Sequence, residues 1–356
     1  MRPFSIFKAN VYVCFKNRKL IKECISTEGD GVDNQIIHGQ LTDLQSALAQ
    51  QVLGQQHVVK GLILALLANG HVLLEGLPGT AKTRSVKTLA DLLHLSQGRV
   101  QFTPDLLPSD VIGYEALSTT NDKQIDFNPG PVFNHILLAD EINRAPPKVQ
   151  SALLESMEER QVTVGNTTHT MEEVFLVLAT QNPVEQEGTY PLPEAQMDRF
   201  LFKIVIDYPD DDIELEIIRL TRGQEATNAQ DNIAIDDAEA LIKAAREKVH
   251  DVFTSESIEK YIVSLVMTTR KPQRYPDSNL QKYIKIGASP RASIALDKAS
   301  RAHAVLEGRD YVDPDDVRAV VSQVLSHRIA LSYSAVADGK SAQDIVDEIV
   351  RVTPVL

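Results

Sequence analysis

A chain of 356 residues with 43% apolar and 24% charged side chains has the make-up of an ordinary globular protein, long enough for about two domains that each build a core. Its formal charge of −13 argues against a surface that grips nucleic acid, and the lack of tryptophan leaves little aromatic surface for stacking on bases. Two cysteines, Cys14 and Cys24, are too few for a disulfide framework and fit a reducing, cytoplasmic setting, and the longest aliphatic run, 62–68, is far short of the ~18 residues that would span a bilayer.

Met1 to Lys22 holds six basic and no acidic residues, yet its apolar stretch from Val11 to Phe15 is too short for a secretory signal. Residues 1–40 are expected to form a poorly ordered extension. Leu41, Leu44, Leu48 and Val52 then recur at helical spacing as far as Gly54. A second helix, Gln55 to Asn69, puts Val58, Val59, Leu62, Ile63, Leu66 and Leu67 on one face, with Gly70 as its stop. The apolar run from His71 to Leu74 leads into Gly76-Leu77-Pro78-Gly79-Thr80-Ala81-Lys82-Thr83, and a helical pattern runs out to about Leu93. Strand, glycine-containing loop and helix start in that order are the setting a phosphate-binding loop requires, because the first N–H groups of a helix have no partners inside it and face whatever anion sits there; an ordinary strand-to-helix turn with an exposed lysine is the alternative. Lys82 adds a positive charge and Thr83 a hydroxyl for a magnesium ion. Ala81 stands where the common phosphate-loop pattern has its second glycine.

A short strand is predicted at Arg99 to Phe102, turn and helix-start residues at Asp105 to Gly113, and a hairpin-like insertion at Tyr114 to Val132 with a turn at Asn121-Asp122. His135 to Ala139 reads as a buried parallel strand tipped by Asp140-Glu141, followed by a helix from Pro146 to Glu159. Gln161 to Val164 and Thr167 to Thr170 flank the turn Gly165-Asn166 as a second hairpin. A third buried strand, Val174 to Thr180, ends at Gln181-Asn182-Pro183. A short helix, Glu194 to Arg199, precedes the last strand, Phe200 to Ile206. Strands alternating with helices predict an α/β fold with a doubly wound, parallel, five-stranded sheet over 41–208. After Tyr208-Pro209-Asp210 the pattern turns helical, near Ile213–Leu220, Asp236–Val249, Ser255–Arg270, Pro290–Glu307, Pro314–Leu325 and Ser341–Val352, so 209–356 is expected to be a small all-α lid.

Transfer of a phosphoryl group to water needs a metal on the β- and γ-phosphates, a group that orients the water, and cations for the charge that spreads in the transition state. Thr83 and Asp140 are candidates to hold magnesium, and Glu141 to polarise the water; the same two carboxylates also suit a plain helix cap. Asn182, at the tip of the neighbouring strand, can orient the water or contact the γ-phosphate, although Asn-Pro is also a turn signal. Arg291 falls at the second position of a lid helix, where the helix dipole disfavours a cation, which suggests an anion nearby such as the phosphates of ATP. Arg199 can reach a neighbouring subunit or pair with Asp198.

The ordered motifs from Gly76 to Thr83, Leu137 to Lys148, Ala179 to Pro183, Leu192 to Phe200 and Gly287 to Ala292 resemble the MoxR family of AAA+ ATPases over about residues 41–352. The resemblance implies ATP and Mg2+ as ligands, with Gly76, Leu77, Pro78, Gly79, Thr80, Ala81, Lys82 and Thr83 as the Walker A loop. Asp140 and Glu141 would be the Walker B pair, Asn182 sensor 1 and Arg291 sensor 2. Arg199 is similar in place to an arginine finger that acts on the adjacent protomer, while Asn143 and Arg144 belong to the same signature with a role left open. It further implies a homo-oligomeric ring, a hexamer, that remodels a client protein in a chaperone-like manner, often with a partner carrying a von Willebrand factor A domain, and hairpins that face the pore. A nucleic-acid-dependent motor and an ATP-gated adaptor that recruits a partner without turnover remain alternatives.

Overall fold

The computed structural model describes residues 30–76, 82–117, 125–182, 188–208, 211–216, 219 and 237–355, with backbone alone at 30–34 and 82–84. Two helices open it, α1 (Asp30–Gln51) and α2 (Gln56–Leu67), and β1 (Val72–Gly76) follows directly. The first begins eleven residues ahead of the boundary expected at 41; Ile37 extends the Leu41, Leu44, Leu48 stripe back by one turn and is buried with it. The helix after the phosphate loop is α3 (Lys82–Leu93), and then come β2 (Gln97–Gln101) and α4 (Pro108–Ile112). The first hairpin is β3 (Gly113–Leu117) with β4 (Ile125–Pro129), paired antiparallel; its expected turn at Asn121-Asp122 lies outside the described residues.

Next are β5 (Ile136–Asp140), α5 (Pro147–Glu159) and a second antiparallel hairpin, β6 (Gln161–Val164) and β7 (Thr167–Thr170). The core closes with β8 (Leu176–Gln181), the single turn α6 (Glu194–Met197) and β9 (Phe202–Ile206). Five strands form one all-parallel sheet in the order β2-β5-β8-β1-β9. Successive residues of a strand face opposite sides, and here both sides are covered. Val72, Leu74, Ile136, Leu138, Leu176, Leu178 and Phe202 pack against α1, α2 and α3, while Leu73, Leu137, Ala139, Val177 and Ala179 pack against α5. Burial on both faces explains why these strands read as unbroken apolar runs. The border strands are the exceptions: β2 buries only Gly98 and Val100 within its span, and β9 leaves Lys203 half-buried and Val205 exposed.

Residues 211–216 are helical, and the rest of the helix expected near Ile213–Leu220 lies outside the described residues. The lid then runs through α7 (Ala238–Asp251), α8 (Glu256–Arg270), α9 (Leu280–Tyr283), α10 (Pro290–Leu306), α11 (Pro314–Leu325), α12 (Tyr333–Ala337) and α13 (Ala342–Val352). Ser255, Ser289, Asp313 and Ser341 each accept a hydrogen bond from the first turn they precede, which fixes where those helices start. Among the described residues two features depart from an all-α lid: an isolated bridge between Phe253 and Tyr311, and a two-stranded ladder of β10 (Ile284–Ile286) with β11 (Ala330–Leu331), strands too short to show a period in sequence. The lid is not a detached body. Its Leu296, Ala299, Val320 and Val324 belong to the same apolar cluster as Leu62, Ile63 and Ile204 of the core.

Candidate functional site

Strand register assembles the site. Gln101 sits opposite Asp140 between β2 and β5, Ala139 opposite Ala179 between β5 and β8, and Glu75 opposite Gln181 between β8 and β1. Asp140 is therefore beside Thr180, and Asn182 follows the residue paired with Glu75, one step before Gly76. The C-terminal edge of an open parallel sheet is where such folds bind ligands, since the strand ends and helix starts face the same crevice there. Gly76, Asp140, Glu141 and Asn182 are thus brought to one edge. Leu77 to Ala81 and the side chains of Lys82 and Thr83 lie outside the described residues, and α3 starts at Lys82.

The acidic pair is held by three polar neighbours that sequence reading did not single out. The hydroxyl of Thr180, a residue only 1% exposed, donates to Asp140 Oδ1 at 2.7 Å and accepts from the Glu141 backbone N–H at 2.9 Å. Arg99 donates to Asp140 Oδ2 at 2.9 Å. Glu141 takes the left-handed conformation, φ 57°, ψ 51°, unusual for a residue with a side chain. Its Oε2 accepts from Gln101 Nε2 at 2.9 Å and from Arg144 at 3.0 Å. Arg144, whose role was open, is therefore a direct ion-pair partner of Glu141. Asn143 is buried, and its carbonyl accepts from the Tyr190 N–H at 2.6 Å; Gln150 reaches from α5 to the carbonyls of Ile142 and Tyr190. The loop after the acidic pair is tied down from two sides.

The residues present fit a magnesium triphosphate. Among the described residues no group of three or more His, Cys, Asp or Glu could hold a metal by itself. Mg2+ in nucleotide sites is bound by one or two carboxylates together with substrate phosphates. Asp140 supplies a carboxylate at the strand tip, and Thr83 is the candidate hydroxyl. A Cβ on Gly76 would sit 2.6 Å from the Ile206 carbonyl oxygen, so the entrance to the phosphate loop tolerates no side chain. Among the described residues the buried Oε1 of Gln181 and Oδ1 of Asn143 have no hydrogen-bond partner, which leaves acceptors at this edge for a ligand or its water.

The two arginines are elsewhere. Arg199 lies just before β9 and Arg291 in the first turn of α10, and both form ion pairs with Glu158 in the last turn of α5: Arg199 at 3.2 Å, and Arg291 as a direct contact. Their surroundings include Asn69, Gly70 and His71, which precede β1. This is the N-terminal edge of the sheet, opposite the acidic pair by the length of a five-residue strand, roughly 15 Å. Arg291 therefore does not face the acidic edge of its own chain, and the anion anticipated at its helix start is, within one chain, the Glu158 carboxylate. Nor does Arg199 pair with Asp198. Asp198 instead accepts from Arg328 Nε at 2.9 Å and from the Ser289 hydroxyl at 2.7 Å, clamping two lid helices to the core. Arg328 is almost wholly buried, its pKa pushed down to about 10 by that burial despite the Asp198 charge.

Comparisons with known proteins fall on the same regions. Residues 71–202 match the family described as "ATPase family associated with various cellular activities (AAA)", and residues 277–349 match the AAA lid domain. The chain is 44% identical over 300 residues to the chaperone MoxR1 of Mycobacterium tuberculosis, covering 84% of this chain and 78% of that one. It is 33% identical over 316 residues to the MoxR protein of Methylorubrum extorquens, covering 85% and 90%. A crystal structure of a proposed ATPase from Cytophaga hutchinsonii superposes with a TM-score of 0.83 at 44% identity, over 91% of this chain and 97% of that one.

Proposed function

The chain belongs to the MoxR family of AAA+ ATPases, and on that premise we propose that it hydrolyses Mg-ATP in a homo-oligomeric ring, a hexamer, and uses the cycle to remodel a client protein in the cytoplasm. The observation that carries this proposal is the division of the catalytic set between opposite sheet edges. Asp140, Glu141 and Asn182 occupy one edge and Arg199 and Arg291 the other, so these two arginines are remote from the triphosphate of their own protomer and are offered to a neighbour instead. Both arginines then act in trans.

Asp140 and Thr83 would hold magnesium, which would supply positive charge to offset that of the triphosphate. Lys82 and the N-terminus of α3 bind the phosphates, Glu141 orients the attacking water and draws off its proton, and Asn182 fixes the direction of approach. An arginine supplied by a neighbour contributes roughly 10³- to 10⁵-fold in rate, about 4 to 7 kcal/mol of barrier. The first hairpin supports a client-binding role. Tyr114, Leu117 and Ile125 are all more than half exposed, and Leu117 and Ile125 face each other across the ladder. A partner with a von Willebrand factor A domain belongs to the same proposal as the adaptor that delivers clients.

Specific ATPase activity should rise with protein concentration, and Arg199→Ala should retain Mg-ATP binding by calorimetry while losing hydrolysis. A dilute monomer with full activity contradicts the division of labour, and absence of heat on mixing with Mg-ATP contradicts the nucleotide site itself.

A further inference from the structure

The two arginines come from different domains, yet one carboxylate joins them. Glu158 Oε2 meets Arg199 at 3.2 Å and its Oε1 meets Arg291, and among the described residues neither arginine has another ion pair. A guanidinium carries five N–H donors in a planar fork, so a carboxylate on one edge fixes the plane and leaves the remaining donors for an incoming anion. Two guanidiniums held this close also repel each other, and a shared anion offsets that. The three side chains are 31%, 45% and 39% exposed, open enough to meet a partner. Ion pairs so exposed contribute about 0 to 1 kcal/mol to stability, too little to be why the fold would need them.

The platform under Glu158 is rigid. His71 Nε2 bonds the Met157 carbonyl at 3.2 Å, and Arg160, which ends α5, reaches Asn69 Oδ1 at 2.7 Å and the Phe175 carbonyl at 3.1 Å. Around it is a cavity of about 290 Å³, lined by Arg160, Arg199, Arg291 and Lys298 with Glu158 as the facing anion, while the buried Arg328 is already paired with Asp198. In a chain with a net charge of −13 this is a locally cationic surface. It suits a polyphosphate.

We propose that Glu158 is a positioning residue that binds Arg199 of the core and Arg291 of the lid into one two-armed receptor for the terminal phosphate of the triphosphate held by a second copy of this chain. The proposal rests on the trans-acting arginines described above and adds the residue that sets their geometry.

The test uses the full chain with Mg-ATP. Glu158→Gln should lower kcat about tenfold, with KM for ATP within twofold and the melting temperature unchanged, and Glu158→Asp should recover part of the loss. Added to the Arg199→Ala/Arg291→Ala double variant, Glu158→Gln should cause no further loss, because both groups it orients are gone. Mixing Glu158→Gln protomers with Glu141→Gln protomers, which cannot hydrolyse but present intact arginines, should raise turnover above that of Glu158→Gln alone. A folding defect would not be rescued in this way. If Arg199→Ala is inactive while Glu158→Gln keeps full kcat, the role of Glu158 is overturned and the trans arginines stand; a further loss when Glu158→Gln is added to the variant lacking both arginines, or no rescue on mixing, overturns it equally. If Arg199→Ala and Arg291→Ala both keep full kcat, the trans reading fails, and the proposal with it.

Discussion

Replacing Thr180 by valine keeps the shape of a buried strand residue and removes one hydroxyl. That hydroxyl gives Asp140 a hydrogen bond of 2.7 Å and takes one of 2.9 Å from the Glu141 N–H. A hydrogen bond to a charged group contributes about 1.5 to 3 kcal/mol, and a buried N–H left without a partner costs about 1 to 3 kcal/mol. Part of the sum is recovered by the added methyl and by relaxation of the loop, so a net loss of about 3 kcal/mol is expected. For a domain of this size that lowers the melting temperature by about 6 to 12 °C. The catalytic effect should be larger than the effect on binding. Glu141 is kept at φ 57° by its surroundings, and the bond from its own N–H to Thr180 is one of the restraints. Without it the backbone can leave the left-handed region, at a gain of about 1 kcal/mol, and the carboxylate loses its aim. Thr180→Val should therefore lose tenfold or more in kcat with ATP affinity within a few-fold, and Thr180→Ser, which keeps the hydroxyl, should stay near the parent in both. Calorimetric melting and steady-state ATPase assays decide it. A valine variant that melts within 2 °C of the parent and hydrolyses at the same rate refutes the role assigned to the hydroxyl.

Gly113 starts the first hairpin at φ 95°, and a Cβ there would lie 2.4 Å from the Asn128 carbonyl oxygen. Gly113→Ala should cost more than about 1 kcal/mol and open the hairpin root to protease; an unchanged digestion pattern contradicts this. His71 is buried with Nδ1 accepting from the Val177 N–H, and burial, reinforced by Arg160, lowers its pKa to about 3. Its folded pKa is below the unfolded value near 6.5, so as the pH falls the unfolded chain binds the proton first and stability drops between about pH 6.5 and 3, by up to about 4 kcal/mol. His327, buried likewise with its pKa pushed down by burial and by Arg328, acts in the same direction. Urea midpoints at pH 7 and pH 4 should differ less in His71→Gln than in the parent, and equal differences refute the assignment.

What the sequence revealed followed from local pattern. The central strands are buried on both faces, so their apolar runs were plain, and α11 begins at a proline placed after an Asp cap, where the pattern put it. Edges and ends were harder. The border strand β2 starts two residues early because its polar side chains face solvent, and the two-residue β11 has no period to detect. The order of the five motifs was enough to place Asp140, Glu141 and Asn182 on neighbouring strand tips, since a parallel sheet sends every C-terminal end to the same edge. Thr180 had a faint signal, a hydroxyl at the end of an otherwise apolar run. Gln101 and Arg99 had none, because only the register of β2 against β5 makes them neighbours of the acidic pair.

The arginine edge was hidden for a different reason. Glu158 and Arg291 are 133 residues apart in sequence, and no periodicity links the end of a core helix to the start of a lid helix. A cation in the first turn of α10 was legible as a demand for an anion; which anion was not, since a side-chain carboxylate and a phosphate meet the same electrostatic need. Geometry separates the two cases. α5 rises about 1.5 Å per residue, so its 13 residues span roughly 20 Å from the turn that follows Glu141 to Glu158. A single chain cannot fold that helix back to bring its arginines to its own acidic pair. The carboxylate satisfies the demand within the chain, and under the proposed trans arrangement the phosphate comes from another copy.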